Sequence, residues 1–154
     1  MLGVGNVGLD ISRVLAKHAE DLMVTEIPEN VAEILKTNPC TDVHVFGRRG
    51  PAQVKFTPLE LRELGKQRDV DVLVDEADFE YDAGSEAALK SSNQQRQVVK
   101  ALEGYAMQEP EELTASHRIH IHLFQSPAEV LTDDAGHVVG LRTERTRLTA
   151  GTFN

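Results

Sequence analysis

Two adjacent arginines, Arg48 and Arg49, lie inside Gly47-Arg48-Arg49-Gly50-Pro51, directly after the apolar run Val43-His44-Val45-Phe46. Well upstream stands Gly3-Val4-Gly5-Asn6-Val7-Gly8, a GxGxxG pattern that leads into a helical pattern. The chemistry these residue types offer is recognition of phosphate. Free backbone N–H groups and the dipole at a helix N-terminus both favour an anion. A guanidinium gives forked, charge-assisted hydrogen bonds to phosphate oxygens. In a dinucleotide-binding fold the end of the second strand faces the adenosine ribose. An acidic residue there bonds a free 2′-hydroxyl, whereas arginine accommodates a 2′-phosphate. The arginine pair therefore points to NADP rather than NAD. The plainer readings are a tight glycine turn and a solvated basic turn. Agreement between the loop, the helix onset and the arginine pair favours dinucleotide binding.

For these residues to act together, a helix must start at the glycines and a strand must end at the arginines. Residues 6–19 place Val7, Ile11, Val14 and Leu15 at helical spacing. Pro28 can open a second helix with Val31, Ile34 and Leu35 on its apolar side, and Asn38-Pro39 stops it. Residues 43–46 read as a buried strand. Thr57-Pro58-Leu59-Glu60 is a T-x-x-E capping box with proline at the first helical position. It opens a helix through Leu61 and Leu64 to about Gly65. Residues 70–74 read as a further strand, so the first half is (strand)-helix-helix-strand-helix-strand. That order suits a parallel, doubly wound sheet. Residues 78–84 read as loop, and 86–107 as one long helix with Val98, Val99, Leu102 and Ala106 on one side. Three short strands follow at 118–124, 127–131 and 138–148, with Asp133-Asp134-Ala135-Gly136 as a turn between the last two. The expected fold class is α/β, a Rossmann-like parallel sheet with an appended β-meander, in one domain over residues 1–154. Only Met1 and Leu2 precede the glycine loop, so the first strand is expected to be truncated. The tail, 149–154, shows no closing element.

The chain has 154 residues, with 25 acidic against 16 basic side chains and a formal net charge of −9. This balance argues against nonspecific binding to nucleic acid or to an anionic membrane. An acidic chain that binds a polyanion must concentrate positive charge locally, which Arg48 and Arg49 would do. The single cysteine, Cys40, excludes an internal disulfide and any multi-cysteine metal site. It suits a reducing, cytoplasmic setting. No apolar run approaches the roughly 20 residues of a membrane span. His117, His120 and His122 invite a metal reading, since His120 and His122 share a strand face. No nearby carboxylate or cysteine spacing completes such a site, so no metal is expected.

Taken together, GVGNVGLD, then GRRGPAQVKFTPLELRELG, then FQSPAEVL resemble the NADP-binding domain of the adrenodoxin-reductase-like ferredoxin–NADP reductases. The resemblance covers nearly the whole chain. A lone GxGxxG is a weak signal, but GRRGPxQ followed by FTxxELREL at this spacing is specific. The resemblance implies a flavoprotein with FAD and NADP modules of similar fold. In such a protein NADPH passes a hydride to FAD, and the flavin passes single electrons to a ferredoxin-type iron–sulfur protein. Carried over by position, it implies that Gly3, Gly5, Asn6 and Val7 wrap the pyrophosphate. It likewise implies that Arg48 and Arg49 hold the 2′-phosphate, that Glu60 contacts the adenosine ribose, and that Glu63 stands near the nicotinamide as the catalytic candidate.

Some features qualify the resemblance. Gly8 stands where the family often has alanine, and both are small enough for close helix–strand packing. Glu60 is also the third residue of the capping box and can bond back to Thr57. In an isolated domain the plain reading of Glu63 is a surface helix charge. Lys90, Arg96 and Lys100 lie along the long helical pattern as solvated charges or, on the sharper reading, as part of a docking patch for an acidic ferredoxin. No second glycine-rich loop for FAD is present, so the chain reads as an NADP domain that is inactive alone. The alternatives are the NADPH-binding region of a glutamate-synthase-small-subunit-like oxidoreductase and a catalytically silent nucleotide-binding module.

Overall fold

Alternation of apolar residues fixes the sheet. In the computed structural model, which describes residues 1–149, β1 (Asp42–Phe46), β2 (Val70–Val74) and β3 (His117–His122) form a three-stranded parallel sheet in the order β1-β3-β2. Val43 and Val45 lie opposite Ile119 and Ile121, and Val70 and Val72 continue the same row. All six are buried, because residues two apart on a strand share a face. Three helices cover that face: α1 (Asn6–Ala16), α4 (Pro58–Leu64) and α6 (Asn93–Ala106). They contribute Leu9, Ala16, Leu61, Leu64, Val98 and Leu102 to one core. The remaining helices are α2 (Ala19–Leu22), α3 (Glu29–Lys36) and α5 (Ala83–Ser91). Ahead of α1, Leu2 forms an isolated parallel bridge to Phe46.

The structure corrects the expected elements in three places. The segment expected as the first meander strand is β3, the centre of the parallel sheet. The appended part is therefore a two-stranded antiparallel hairpin of β4 (Gln125–Thr132) and β5 (Val138–Arg145). An Ile-His-Ile-His alternation suits the middle of a parallel sheet as well as a meander, so pattern alone does not decide its neighbours. The long helix is two. Ser92 adopts extended geometry and its hydroxyl accepts from Gln95 N–H at 3.2 Å, starting α6 afresh. Serines and asparagines compete with the helix backbone in this way. Finally, α1 buries Gly8, Leu9, Ser12 and Ala16, while Val7, Ile11, Val14 and Leu15 are exposed. Small residues let the helix lie close to the sheet, and the apolar stripe faces outward. The tail residues 150–154 lie outside the described residues.

The opposite face of the sheet carries a row of rings. His44 stacks on His120 and His122, with centroids 4.4 and 5.2 Å apart, and Phe46 stacks on His122 at 4.6 Å. His44 Nδ1 and His122 Nε2 are 2.9 Å apart, and His120 Nε2 is 2.8 Å from Asp42 Oδ1. The carboxylate that the linear spacing did not show thus comes from the neighbouring strand. Among the described residues no group of three or more histidine, cysteine or carboxylate side chains is arranged to hold a metal. Burial, and then the neighbouring imidazoles, hold His44 and His122 below the ordinary histidine value; Asp42 and Asp75 oppose this, and the Met1 amino group adds to it at His44. The folded chain therefore binds fewer protons at these rings than the unfolded chain does. Stability rises with pH between the depressed folded values and about 6.5. The melting temperature is expected to be lower at pH 5.5 than at pH 7.5, and His122→Gln should shrink that difference. An undiminished difference in the variant, measured by thermal denaturation at both pH values, would contradict this origin.

Candidate functional site

The glycine loop meets the arginine loop at the carboxyl end of β1. Gly5 is the N-cap of α1 and no side chain caps the helix, so its first turn keeps N–H groups free for a ligand. Gly3 has φ +126°, a conformation that needs glycine. Backbone bonds hold the loop from both sides. Gly3 N–H donates to the Phe46 carbonyl at 2.9 Å, and Lys55 N–H donates to the Val4 carbonyl at 2.8 Å. Asn6 Oδ1 accepts from Thr57 N–H at 2.9 Å, which ties the start of α1 to the start of α4. A Cβ at Gly8 would fall 2.8 Å from the Gly3 carbonyl oxygen. Alanine there would push the loop, so the two small residues are not interchangeable in this chain.

The arginine loop is bonded to the strand and hairpin ends beside it. Gly47 N–H donates to the His122 carbonyl at 2.8 Å, Phe124 N–H to the Arg49 carbonyl at 3.2 Å, and Gln125 N–H to the Gly47 carbonyl at 2.9 Å. The Thr146 hydroxyl donates to the Arg48 carbonyl at 2.6 Å. A Cβ at Gly50 would lie 2.1 Å from the Phe124 ring, so glycine there allows the ring to close over the turn. With their backbones fixed, both arginine side chains stay exposed. Neither forms an ion pair among the described residues. Between the two loops lies a cleft of about 570 Å³ whose walls include Gly3, Val4, Arg48, Arg49, Lys55 and, from β4, Ser126. Among the described residues no carboxylate lines it.

At the start of the hairpin a buried carboxylate pairs with an exposed arginine. Asp78 is 1% exposed. Its Oδ2 accepts from Leu123 N–H at 3.2 Å and its Oδ1 accepts from Arg145 at 2.9 Å. Burial pushes the Asp78 carboxyl up, and the hydrogen bonds from Arg145 and Leu123 oppose that shift. The Arg145 guanidinium also lies 5.6 Å from the Phe124 ring centroid, within cation–π reach. Phe124 has φ +52°. Asp78 and Arg145 thus hold the turn against which the arginine loop is packed.

No family profile matches the chain. Individual relatives do. NADPH-ferredoxin reductase FprA of Mycobacterium leprae is 39% identical over 132 residues, 84% of this chain and 28% of the relative. Mitochondrial NADPH:adrenodoxin oxidoreductase of Rattus norvegicus is 35% identical over 156 residues, 96% of this chain and 31% of the relative. The structure of Mycobacterium tuberculosis FprA in complex with NADPH superposes with a TM-score of 0.73 at 31% identity, over 92% of this chain and 34% of that one. The chain is homologous to one segment of the ferredoxin and adrenodoxin reductases. It spans about a third of the length of these relatives.

In the fold the expected residues fall into two groups. Gly3, Arg48 and Arg49 share the cleft, and Gly5, Asn6, Val7 and Gly8 continue from its edge into α1. Glu60 and Glu63 lie apart, on α4. Glu60 does not bond back to Thr57. Thr57 accepts from Glu60 N–H at 3.3 Å, but the Thr57 N–H is taken by Asn6, and the Glu60 carboxylate pairs with Arg13 of α1 at 3.1 Å. Glu63 pairs with Lys66 at 2.8 Å, and that hydrogen bond holds its carboxyl below the usual range. Of the three cations expected along the long helical pattern, Lys90 pairs with Glu86, and Arg96 donates to the carbonyls of Leu89 and Lys90. Arg96 thus closes the end of α5. Lys100 lines a separate cleft with Arg62 and Tyr105.

Sequence reasoning missed Lys55, Gln53 and Ser126 as cleft residues. Alternation from buried Val54 and Phe56 marks Lys55 as outward facing, but only the loop crossing shows what it faces. The Asp78–Arg145 pair left no linear signal, since 67 residues separate its members. Asp78→Ala should cost about 2–3 kcal/mol, because it orphans the buried Leu123 N–H and removes the acceptor of Arg145. Asp78→Asn, whose amide oxygen can still accept from Leu123, should cost less. Urea denaturation measures both, and equal stability of wild type and Asp78→Ala would refute this role.

Proposed function

We propose that this chain binds NADPH and presents its nicotinamide to an FAD carried by another part of the protein. The flavin there would accept hydride and pass electrons on to a ferredoxin-type iron–sulfur protein. One observation carries the reading. Arg48 and Arg49 line the same cleft as the glycine loop, and among the described residues no carboxylate answers them there. The FprA relative solved in complex with NADPH supports the same ligand. Reductases of the ferredoxin and adrenodoxin class among the relatives favour this over a glutamate-synthase-type oxidoreductase. No described helix is long and apolar enough to cross a membrane.

The residues have distinct tasks in this reading. Gly3, Gly5, Asn6 and Val7 bring the loop backbone and the first turn of α1 against the pyrophosphate, and Gly8 keeps that turn close to the loop. Arg48 and Arg49 clamp the 2′-phosphate. Glu60 would reach the adenosine ribose by giving up its bond to Arg13, and Glu63 would stand near the nicotinamide only after leaving Lys66. The chain holds one GxGxxG pattern, which the arginine pair commits to NADP. The chain's contribution is therefore positioning, with the redox chemistry supplied by the flavin. The isolated chain should purify without flavin colour and reduce no artificial acceptor.

A charge-assisted phosphate contact is worth about 1.5–3 kcal/mol, or roughly tenfold to over a hundredfold in affinity. Calorimetry should show NADPH bound at least about tenfold more tightly than NADH. Arg49→Ala should erase most of that preference by weakening NADPH alone, and Lys100→Ala should change neither nucleotide. Equal affinity of the wild type for both nucleotides would sink the reading. Parallel losses of both in Arg49→Ala would mean that the arginine supports the fold and not the 2′-phosphate.

A further inference from the structure

We propose that Lys55 is a third phosphate ligand of the cleft and acts on the pyrophosphate of the bound dinucleotide. The proposal rests on the NADPH reading above and adds to it a residue on a different segment. Lys55 lies between two buried residues, Val54 and Phe56, on an extended stretch whose alternate side chains point to opposite sides. Its own side chain is exposed and lines the cleft. Its backbone is fixed against the glycine loop, since Gly5 and Lys55 form a parallel bridge and Lys55 N–H bonds the Val4 carbonyl. Lys55 therefore enters the cleft from the glycine-loop side, its backbone beside the N-cap of α1, while Arg48 and Arg49 extend from the end of β1. No ion pair engages Lys55 among the described residues. An uncompensated cation beside free helix N–H groups adds to their attraction for an anion. A lysine, as a flexible point charge, suits a diphosphate whose position is already set by backbone groups.

Three ligands separate the two phosphate positions: NADPH carries both, NADH only the pyrophosphate, and 2′-AMP only the 2′-phosphate. Isothermal titration of the whole chain should show Lys55→Ala weakening NADPH and NADH by the same factor, roughly tenfold for one charge-assisted phosphate contact, with 2′-AMP unchanged. Arg49→Ala should give the complementary pattern, weakening NADPH and 2′-AMP but not NADH. Lys55→Arg should restore most of the loss, and Lys55→Met, which keeps the aliphatic stem, should not. If Lys55→Ala lowers the melting temperature, Lys55→Met takes its place. Unchanged affinity for NADPH and NADH would overturn the proposal. So would a loss confined to NADPH and 2′-AMP, which would put Lys55 at the 2′-phosphate. A wild-type chain that binds none of the three would overturn the NADPH reading itself, and this proposal with it.

Discussion

The carboxyl end of β1 is hydrogen-bonded along both edges, and the rest of the site depends on that. On one edge Phe46 exchanges backbone bonds with Met1 and Gly3; on the other, Gly47 bonds His122 and Gln125. A glycine loop that opens the chain and an arginine loop more than 40 residues later are thereby held against one cleft. Parallel pairing makes this possible, because parallel strands place their carboxyl ends together and ligands bind at that edge of an open α/β sheet. The hairpin β4–β5 then adds a wall, and the Asp78–Arg145 pair fixes the corner from which the hairpin departs.

Charge is arranged around the same edge. The chain carries nine more acidic than basic side chains, yet the cleft collects Arg48, Arg49 and Lys55 with no carboxylate from the described residues. Three acids on other elements are engaged with cations of their own: Glu60 with Arg13, Glu63 with Lys66, Asp78 with Arg145. Another cleft shows the contrast, with Asp75, Glu76, Glu80 and Glu103 among its walls. A basic recess in an acidic surface draws an anionic ligand towards itself, while the acidic surroundings repel it.

The recess was legible in the sequence where function required particular residue types. Gly3 is needed for its positive φ, Gly50 for the close approach of Phe124, and the arginine pair follows an apolar strand run. The T-x-x-E pattern located the start of α4 correctly, although Asn6, and not Glu60, answers the Thr57 N–H. What stayed hidden depends on tertiary neighbours. The central place of β3 is set by which strands it meets, not by its own alternation. The outward stripe of α1 arises because Gly8 and Ser12 let the backbone approach the sheet, a preference that hydrophobic periodicity does not register. Lys55 and the Asp78–Arg145 pair gain their roles from residues that approach only in the fold.

The central claim is that the arginine loop, and not some other part of the chain, holds a 2′-phosphate. Amide NMR spectra titrated with adenosine 2′,5′-bisphosphate and, separately, with 5′-AMP test it most directly. The account predicts that the bisphosphate shifts the amides of Gly47, Arg48, Arg49 and Gly50 well beyond the changes caused by 5′-AMP, with α5 and α6 unaffected. Shifts of equal size with both ligands at those four amides, or shifts centred on the helices, would contradict it.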